Sequence, residues 1–148
     1  MITERIPYKL ITGDFGKLKI TLKPFVYVDE YYGVIDVPAG FIFDGASIPR
    51  FAWSVLGVTP YDPKVIAAAV VHDWMYNAKV KSKKDADAIF YYIMKHQGYL
   101  SETQMRLMYT AVKVFGGKAY RKLLNDNEFL CPEAVINYIK CEGNHKQF

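Results

Sequence analysis

His72, Asp73, Tyr76 and Asp87 set one histidine near two carboxylates and a phenol, as a centre built around a general base would. On a helix, Tyr76 falls on roughly the same side as His72 and Asp73, one turn on, and can donate a hydrogen bond. If the segments flanking Asn77 to Ser82 form a helical hairpin, Asp87 reaches the first helix and accepts the proton of one imidazole nitrogen. That would fix the tautomer and leave the second nitrogen as a general base. Upstream, Phe43-Asp44-Gly45-Ala46-Ser47-Ile48-Pro49-Arg50 adds a carboxylate, a hydroxyl and a cation.

The elements that must position these groups change character along the chain. Short runs rich in Tyr, Val, Ile and Phe (Tyr8 to Thr12, Leu18 to Leu22, Phe25 to Val28, Tyr32 to Val37, Phe41 to Phe43) are broken by Gly13-Asp14, Asp29-Glu30 and Pro38-Ala39-Gly40. They predict a meander of four to five short antiparallel strands. From Tyr61 the period becomes helical. Asp62-Pro63 reads as an N-cap with proline at the first helical position, opening a helix that runs to about Ala78. Ser82 with Asp85 resembles a capping box ahead of the stripe Ala86, Ile89, Phe90, Ile93 and Met94, which Gly98 ends. Ser101 with Gln104 repeats the device for a helix carrying Met105, Met108, Tyr109, Val112 and Phe115 inward and ending at Gly116-Gly117. A short helix over Lys118 to Leu124 and another after Cys131-Pro132 follow. The expected architecture is α+β, an N-terminal antiparallel meander packed against three to four helices. Residues 1–142 are expected to form one domain, strand-rich over 5–45 and helical over 61–141, with 143–148 expected as a flexible tail.

Composition limits the function classes. The chain has 148 residues, 51% of them hydrophobic, enough for a single buried core. Nineteen Lys and Arg against fifteen Asp and Glu give a net charge of +4. The basic residues cluster only at Lys79, Lys81, Lys83 and Lys84, too weakly to argue nucleic-acid binding. That stretch reads as a solvated loop. Cys131 and Cys141 have no metal-ligand spacing and read as reduced thiols, with a disulfide between them the alternative. No run has signal-peptide or membrane-spanning length, so synthesis in the cytoplasm is expected, with no transmembrane segment. Oligomeric state is not legible.

His72 and Asp73 sit in Val65-Ile66-Ala67-Ala68-Ala69-Val70-Val71, a segment apolar nearly all round and therefore buried. Burying an imidazole and a carboxylate costs several kcal/mol unless each is paired, so partners must exist. The same residues therefore support two readings, a catalytic pair or a polar network that only holds the hairpin together. Asp44 before Gly45 suits a tight turn, Ser47 a cap, and Arg50 a structural ion pair. Phe51, Trp53 and Trp74 read as core.

The run Val37-Pro38, Gly40-Phe41, Asp44, Ala46-Ser47, Pro49-Arg50, then His72-Asp73 with Tyr76, Ala86-Asp87 with Phe90, Met108-Tyr109 and Phe115-Gly116-Gly117 resembles a phage and bacterial family of uncharacterised proteins, domain of unknown function 1353. The likeness covers roughly Asp36 to Tyr120 and implies no activity. A second, local resemblance is to the short bacterial and fungal secreted phospholipases A₂, which carry His-Asp-x-x-Tyr on a helix and an aspartate on the next. It implies a general base at His72, oriented by Asp87, with Tyr76 hydrogen-bonded to Asp87. It also implies one Ca²⁺ held by Asp73, the Asp44 carboxylate and a carbonyl near Gly45, and a lipid or host-envelope substrate. Ca²⁺ is scarce in cytoplasm, so activity would follow release on lysis or carriage in a virion. Those enzymes are disulfide-stapled, whereas no cysteine lies near His72 here. Two alternatives stand beside this reading. One is a non-enzymatic phage accessory or virion protein in which His72, Asp73, Asp87 and Asp44 form a structural network; the other is an inhibitor of a host protein, acting through the basic loop or the C-terminal segment.

Overall fold

The computed structural model describes residues 19–21, 24–43, 48–57, 62 and 64–121. Four strands precede five helices within this range: β1 (Lys19–Ile20), β2 (Phe25–Asp29), β3 (Gly33–Val37), β4 (Ile42–Phe43), α1 (Arg50–Leu56), α2 (Ile66–Ala78), α3 (Lys83–Gln97), α4 (Glu102–Phe115) and α5 (Gly117–Arg121). The class is α+β, as the change of period implied.

Strands β2 and β3 form an antiparallel hairpin with Phe25 opposite Val37 and Asp29 opposite Gly33. Alternation decides its faces. Tyr27, Ile35 and Val37 are buried while Val26, Val28 and Val34 face out. At the tip, Asp29 Oδ1 accepts from the backbone N–H groups of Tyr31 and Tyr32 at 2.8 and 2.9 Å, and Gly33 supplies a φ of +83°. The strand order is not a meander. β1 pairs with β4, Lys19 opposite Phe43, and the β2–β3 hairpin is nested between them. Thr21 extends the outer pair through backbone bonds with Phe41 and Gly40, and its hydroxyl donates to the Pro38 carbonyl at 2.8 Å.

Helix α2 is the axis of the helical part, packing against α3, α5, β3 and β4. Its run from Ile66 to Val71 is buried on every side, and the three alanines let neighbouring elements approach closely. Asp62 opens a turn, with its carboxylate accepting from the Lys64 N–H and its carbonyl from Val65 and Ile66, but the regular helix begins only at Ile66, so the expected N-cap at Asp62 lies one turn early. The end at Ala78 is as expected, with Lys79 left-handed at φ 56°. Ser82 caps α3 through the Asp85 N–H, and Ser101 and Gln104 form a full capping box on α4.

The stripe Ala86, Ile89, Phe90, Ile93 and Met94 is buried, as are Met105, Met108 and Val112. Phe115 and Phe51, expected inward, are not; they meet edge to face at the surface, ring centroids 5.2 Å apart. Trp53 is buried, and Trp74 is half-buried against Phe41. The strand at Tyr8 to Thr12, the helix after Cys131, both cysteines and the tail lie outside the described residues. Helix α5 ends at Arg121, the last of them. Among the described residues no helix is long and apolar enough to cross a membrane.

Candidate functional site

The α2–α3 hairpin brings His72, Tyr76 and Asp87 together. His72 lies 0% and Asp87 2% exposed, and His72 Nε2 is 2.8 Å from Asp87 Oδ1. Tyr76 donates its hydroxyl to the same oxygen at 2.5 Å. Asp87 Oδ2 accepts from Lys83 Nζ at 2.7 Å, and that ammonium also donates to the Val112 and Lys113 carbonyls at 2.9 and 3.1 Å. Lys83 therefore ties the first turn of α3 to the last turn of α4, sharing the Val112 carbonyl with the Gly116 N–H. Charge balances as well. A buried carboxylate facing a neutral imidazole would carry an uncompensated negative charge, and Lys83 supplies the counter-ion.

The electrostatics follow from burial and these bonds. Burial pushes the His72 imidazole below its ordinary pKa, outweighing the upward pull of the Asp87 hydrogen bond and charge. For Asp87, burial acts upward, but hydrogen bonds from His72, Lys83 and Tyr76 together overcome it and hold the carboxyl below the usual range. Burial, then the hydrogen bond to Asp87, raise the Tyr76 hydroxyl. Ionised Asp87 can only accept, so the neutral ring carries its proton on Nε2 and presents Nδ1 as the acceptor. His72 and Asp73 each have further interactions, so neither lacks a partner.

A sign follows for pH. The unfolded imidazole protonates near its ordinary pKa of about 6.5, while the folded one, pushed down, does not. Between those two values the unfolded chain binds more protons, so acidification destabilises the fold. Asp87 adds a second loss of the same sign below the ordinary carboxylate pKa of about 3.9. The thermal midpoint, followed by circular dichroism, should be flat from about pH 8 to 7 and fall below about 6.5. His72→Gln should flatten that first decline; a midpoint rising through the window would mean that His72 is held protonated.

The elements around the dyad are shaped to it. Gly116, the residue after α4, is buried, and a Cβ there would stand 2.4 Å from the Val112 carbonyl oxygen and 2.7 Å from the Tyr76 hydroxyl. Tyr76 is fixed by Asp87 and cannot yield cheaply, so Gly116→Ala should cost roughly 1–3 kcal/mol, readable in urea unfolding. Tyr120 meets Tyr76 edge to face at 5.2 Å and donates its hydroxyl to the Lys81 carbonyl at 3.0 Å. Lys79 Nζ donates to the Tyr76 and Tyr120 carbonyls and lies 4.4 Å from the centre of the Tyr120 ring. Lys81 Nζ donates to the Tyr32 carbonyl at 2.8 Å. The solvated-loop expectation for the basic stretch thus fails at Lys79, Lys81 and Lys83, whose ammonium groups all find backbone carbonyls. Lys83 was the functional neighbour that reasoning on residue types missed, although its place four residues before Asp87 on a helix is the signal that marks it.

The remaining predicted positions fall differently. Asp73 is buried on α2 at 2% exposure. Asp44, Gly45 and Ser47 lie outside the described residues. Arg50 is exposed at the start of α1 and forms no ion pair among the described residues; Asp44, one of its expected partners, lies outside them. Among those residues no three His, Cys, Asp or Glu side chains converge as a metal cluster would, so Asp73 is the one described donor of the expected Ca²⁺ set.

The chain is an α+β protein with a buried His–Asp–Tyr centre on a helical hairpin, and a family model matches most of the described range. The chain belongs to the family described as protein of unknown function DUF1353, matched over residues 20–112. The match begins earlier than the resemblance at Asp36 suggested and stops before Gly116. The chain is 36% identical over 106 residues to the uncharacterised protein y4jT of Sinorhizobium fredii, covering 72% of this chain and 28% of that protein. It is 37% identical over 73 residues to the uncharacterised protein y4iH of the same organism, covering 49% and 30%. The chain thus spans less than a third of the length of these relatives. No solved structure matches.

Proposed function

We propose that this chain is an ester hydrolase of the phospholipase A₂ type, with His72 as general base. One observation carries the reading: Asp87 accepts from both His72 Nε2 and Tyr76, two residues one turn apart on α2, with Asp73 next to the histidine. That is the arrangement which the local likeness to those phospholipases implied. The His72 imidazole takes a proton from water as the water oxygen attacks the ester carbonyl carbon. When the intermediate collapses, the bond to the alcohol oxygen breaks and the imidazolium returns the proton to it. Asp87 stabilises the transient imidazolium, and Lys83 keeps Asp87 ionised throughout. Ca²⁺ held by Asp73, Asp44 and the Gly45 carbonyl would supply positive charge to the oxyanion. Since His72 is fully buried, substrate entry must part the side chains that cover it. A phage or bacterial setting in which the chain meets lipid on lysis, or from a virion, would provide the cation.

The second reading, a structural network, is supported by that same burial and by the grip of Lys83 on the end of α4. Release of fatty acid from phosphatidylcholine and phosphatidylglycerol vesicles, with Ca²⁺ or with EDTA, separates the two. Ca²⁺-dependent release supports the hydrolase; no release in any condition removes it and leaves the network.

A further inference from the structure

The hairpin tip and the outer face of α3 flank a half-open pocket of about 600 Å³. It faces away from the dyad, since Tyr92 lies five residues after Asp87, about 140° around the helix. Tyr31, Tyr32 and Tyr92 form its aromatic wall. Tyr31 meets Tyr32 edge to face at 4.8 Å, and Tyr32 lies 6.2 Å from Tyr92. Tyr31 is 85% exposed, an unusual cost at a hairpin tip, and Tyr92 is 39% exposed.

The wall is held in place before any ligand arrives. The Tyr32 N–H donates to Asp29, its carbonyl accepts from Lys81, and the Tyr27 hydroxyl donates to Asp29 Oδ2 at 2.9 Å. Charges are divided by element. The hairpin contributes the carboxylates of Asp29 and Glu30, and α3 contributes Lys95 and His96.

Aromatic faces attract cations, and alkylated ammonium groups most readily because they lose little hydration on contact. Carboxylates beside the rings reinforce that preference. A basic pair on the other element suits an anion tethered a short distance away. We propose that this pocket binds a zwitterion joining a quaternary ammonium to a phosphate, of the phosphocholine type, with the ammonium against the tyrosines and the phosphate at Lys95 and His96. A methylated lysine in a peptide would also suit the rings, but Lys95 would repel a basic peptide. The inference is independent of the hydrolase reading and survives its failure.

The test is a nuclear magnetic resonance shift titration of the whole chain with phosphocholine, tetramethylammonium, inorganic phosphate and a trimethyl-lysine peptide. Phosphocholine should saturate the amides of the hairpin tip and α3 at the lowest concentration of the four. Tyr92→Leu and Tyr31→Ala should each weaken it about fivefold or more, with an unchanged thermal midpoint because both rings are exposed. Lys95→Glu should abolish the advantage of phosphocholine over tetramethylammonium. Co-sedimentation with phosphatidylcholine vesicles then distinguishes a lipid headgroup from a soluble ligand, and either source supports the proposal. No saturation by phosphocholine, tighter binding of the peptide, or indifference to both tyrosine variants overturns it.

Discussion

Asp87→Ala should cost about 3–5 kcal/mol of stability, because it strands a partly exposed ammonium together with a buried phenol and a buried imidazole. Asp87 is the acceptor for His72, Tyr76 and Lys83, and its pocket lies among Phe90, Tyr76 and the end of α4, with the Phe90 ring 4.7 Å from His72. Alanine leaves those donors facing a small void. At this chain length the thermal midpoint should fall by roughly 6–20 °C. Asp87→Asn keeps the shape but puts an amide donor against other donors, so it should also destabilise. The double variant Asp87→Ala with Lys83→Met should recover part of the loss, since the stranded charge is gone. Lys83 is partly exposed and can lean toward solvent, which limits that recovery. Urea unfolding measures all three. A loss below about 1 kcal/mol for Asp87→Ala would mean that the centre does not hold the helices together, since an average point substitution costs that much.

His72→Gln is expected to reduce ester hydrolysis by about 10²- to 10⁴-fold, the usual contribution of a positioned general base, while leaving the chain folded. Glutamine keeps an N–H donor for Asp87 but has no basic nitrogen to take a proton from water. The variant therefore separates chemistry from architecture better than alanine, which would also open a cavity. Loss of hydrolysis with a native far-ultraviolet spectrum and a midpoint within a few degrees of the wild type assigns the base. If the wild type is inactive and His72→Gln only lowers the midpoint, the histidine is structural. Asp73→Asn probes a different step. It should remove any Ca²⁺ dependence while leaving the His72–Asp87 bond intact.

The dyad was legible because a helix makes positions predictable from spacing. His72 and Tyr76 one turn apart, and a capped helix beginning at Ser82, were enough to aim Asp87 back at them. The lysines were not legible by type, because a basic run looks solvated until the carbonyls it meets are in place. Apart from that of Tyr76, those carbonyls belong to Tyr32, Val112, Lys113 and Tyr120, distant in sequence. The β1–β4 pair was hidden for a related reason. Alternation shows which side of a strand is buried, not which strand lies beside it, and a nested hairpin has the same pattern as a meander. Phe115 misled because it continues the apolar stripe of α4 past the point where the neighbouring helices cover it.

The grip of Lys83 has a consequence for how the molecule opens. One ammonium is shared by the beginning of α3, the buried carboxylate and the closing carbonyls of α4, so detaching α4 uncovers an ion pair and cannot occur as simple fraying. The second, third and fourth helices should therefore behave as one cooperative unit in native-state hydrogen exchange, with amides of similar protection. Among the described residues the β2–β3 hairpin shares no ammonium of this kind with α4, and its strands should exchange separately from that unit, at lower free energy.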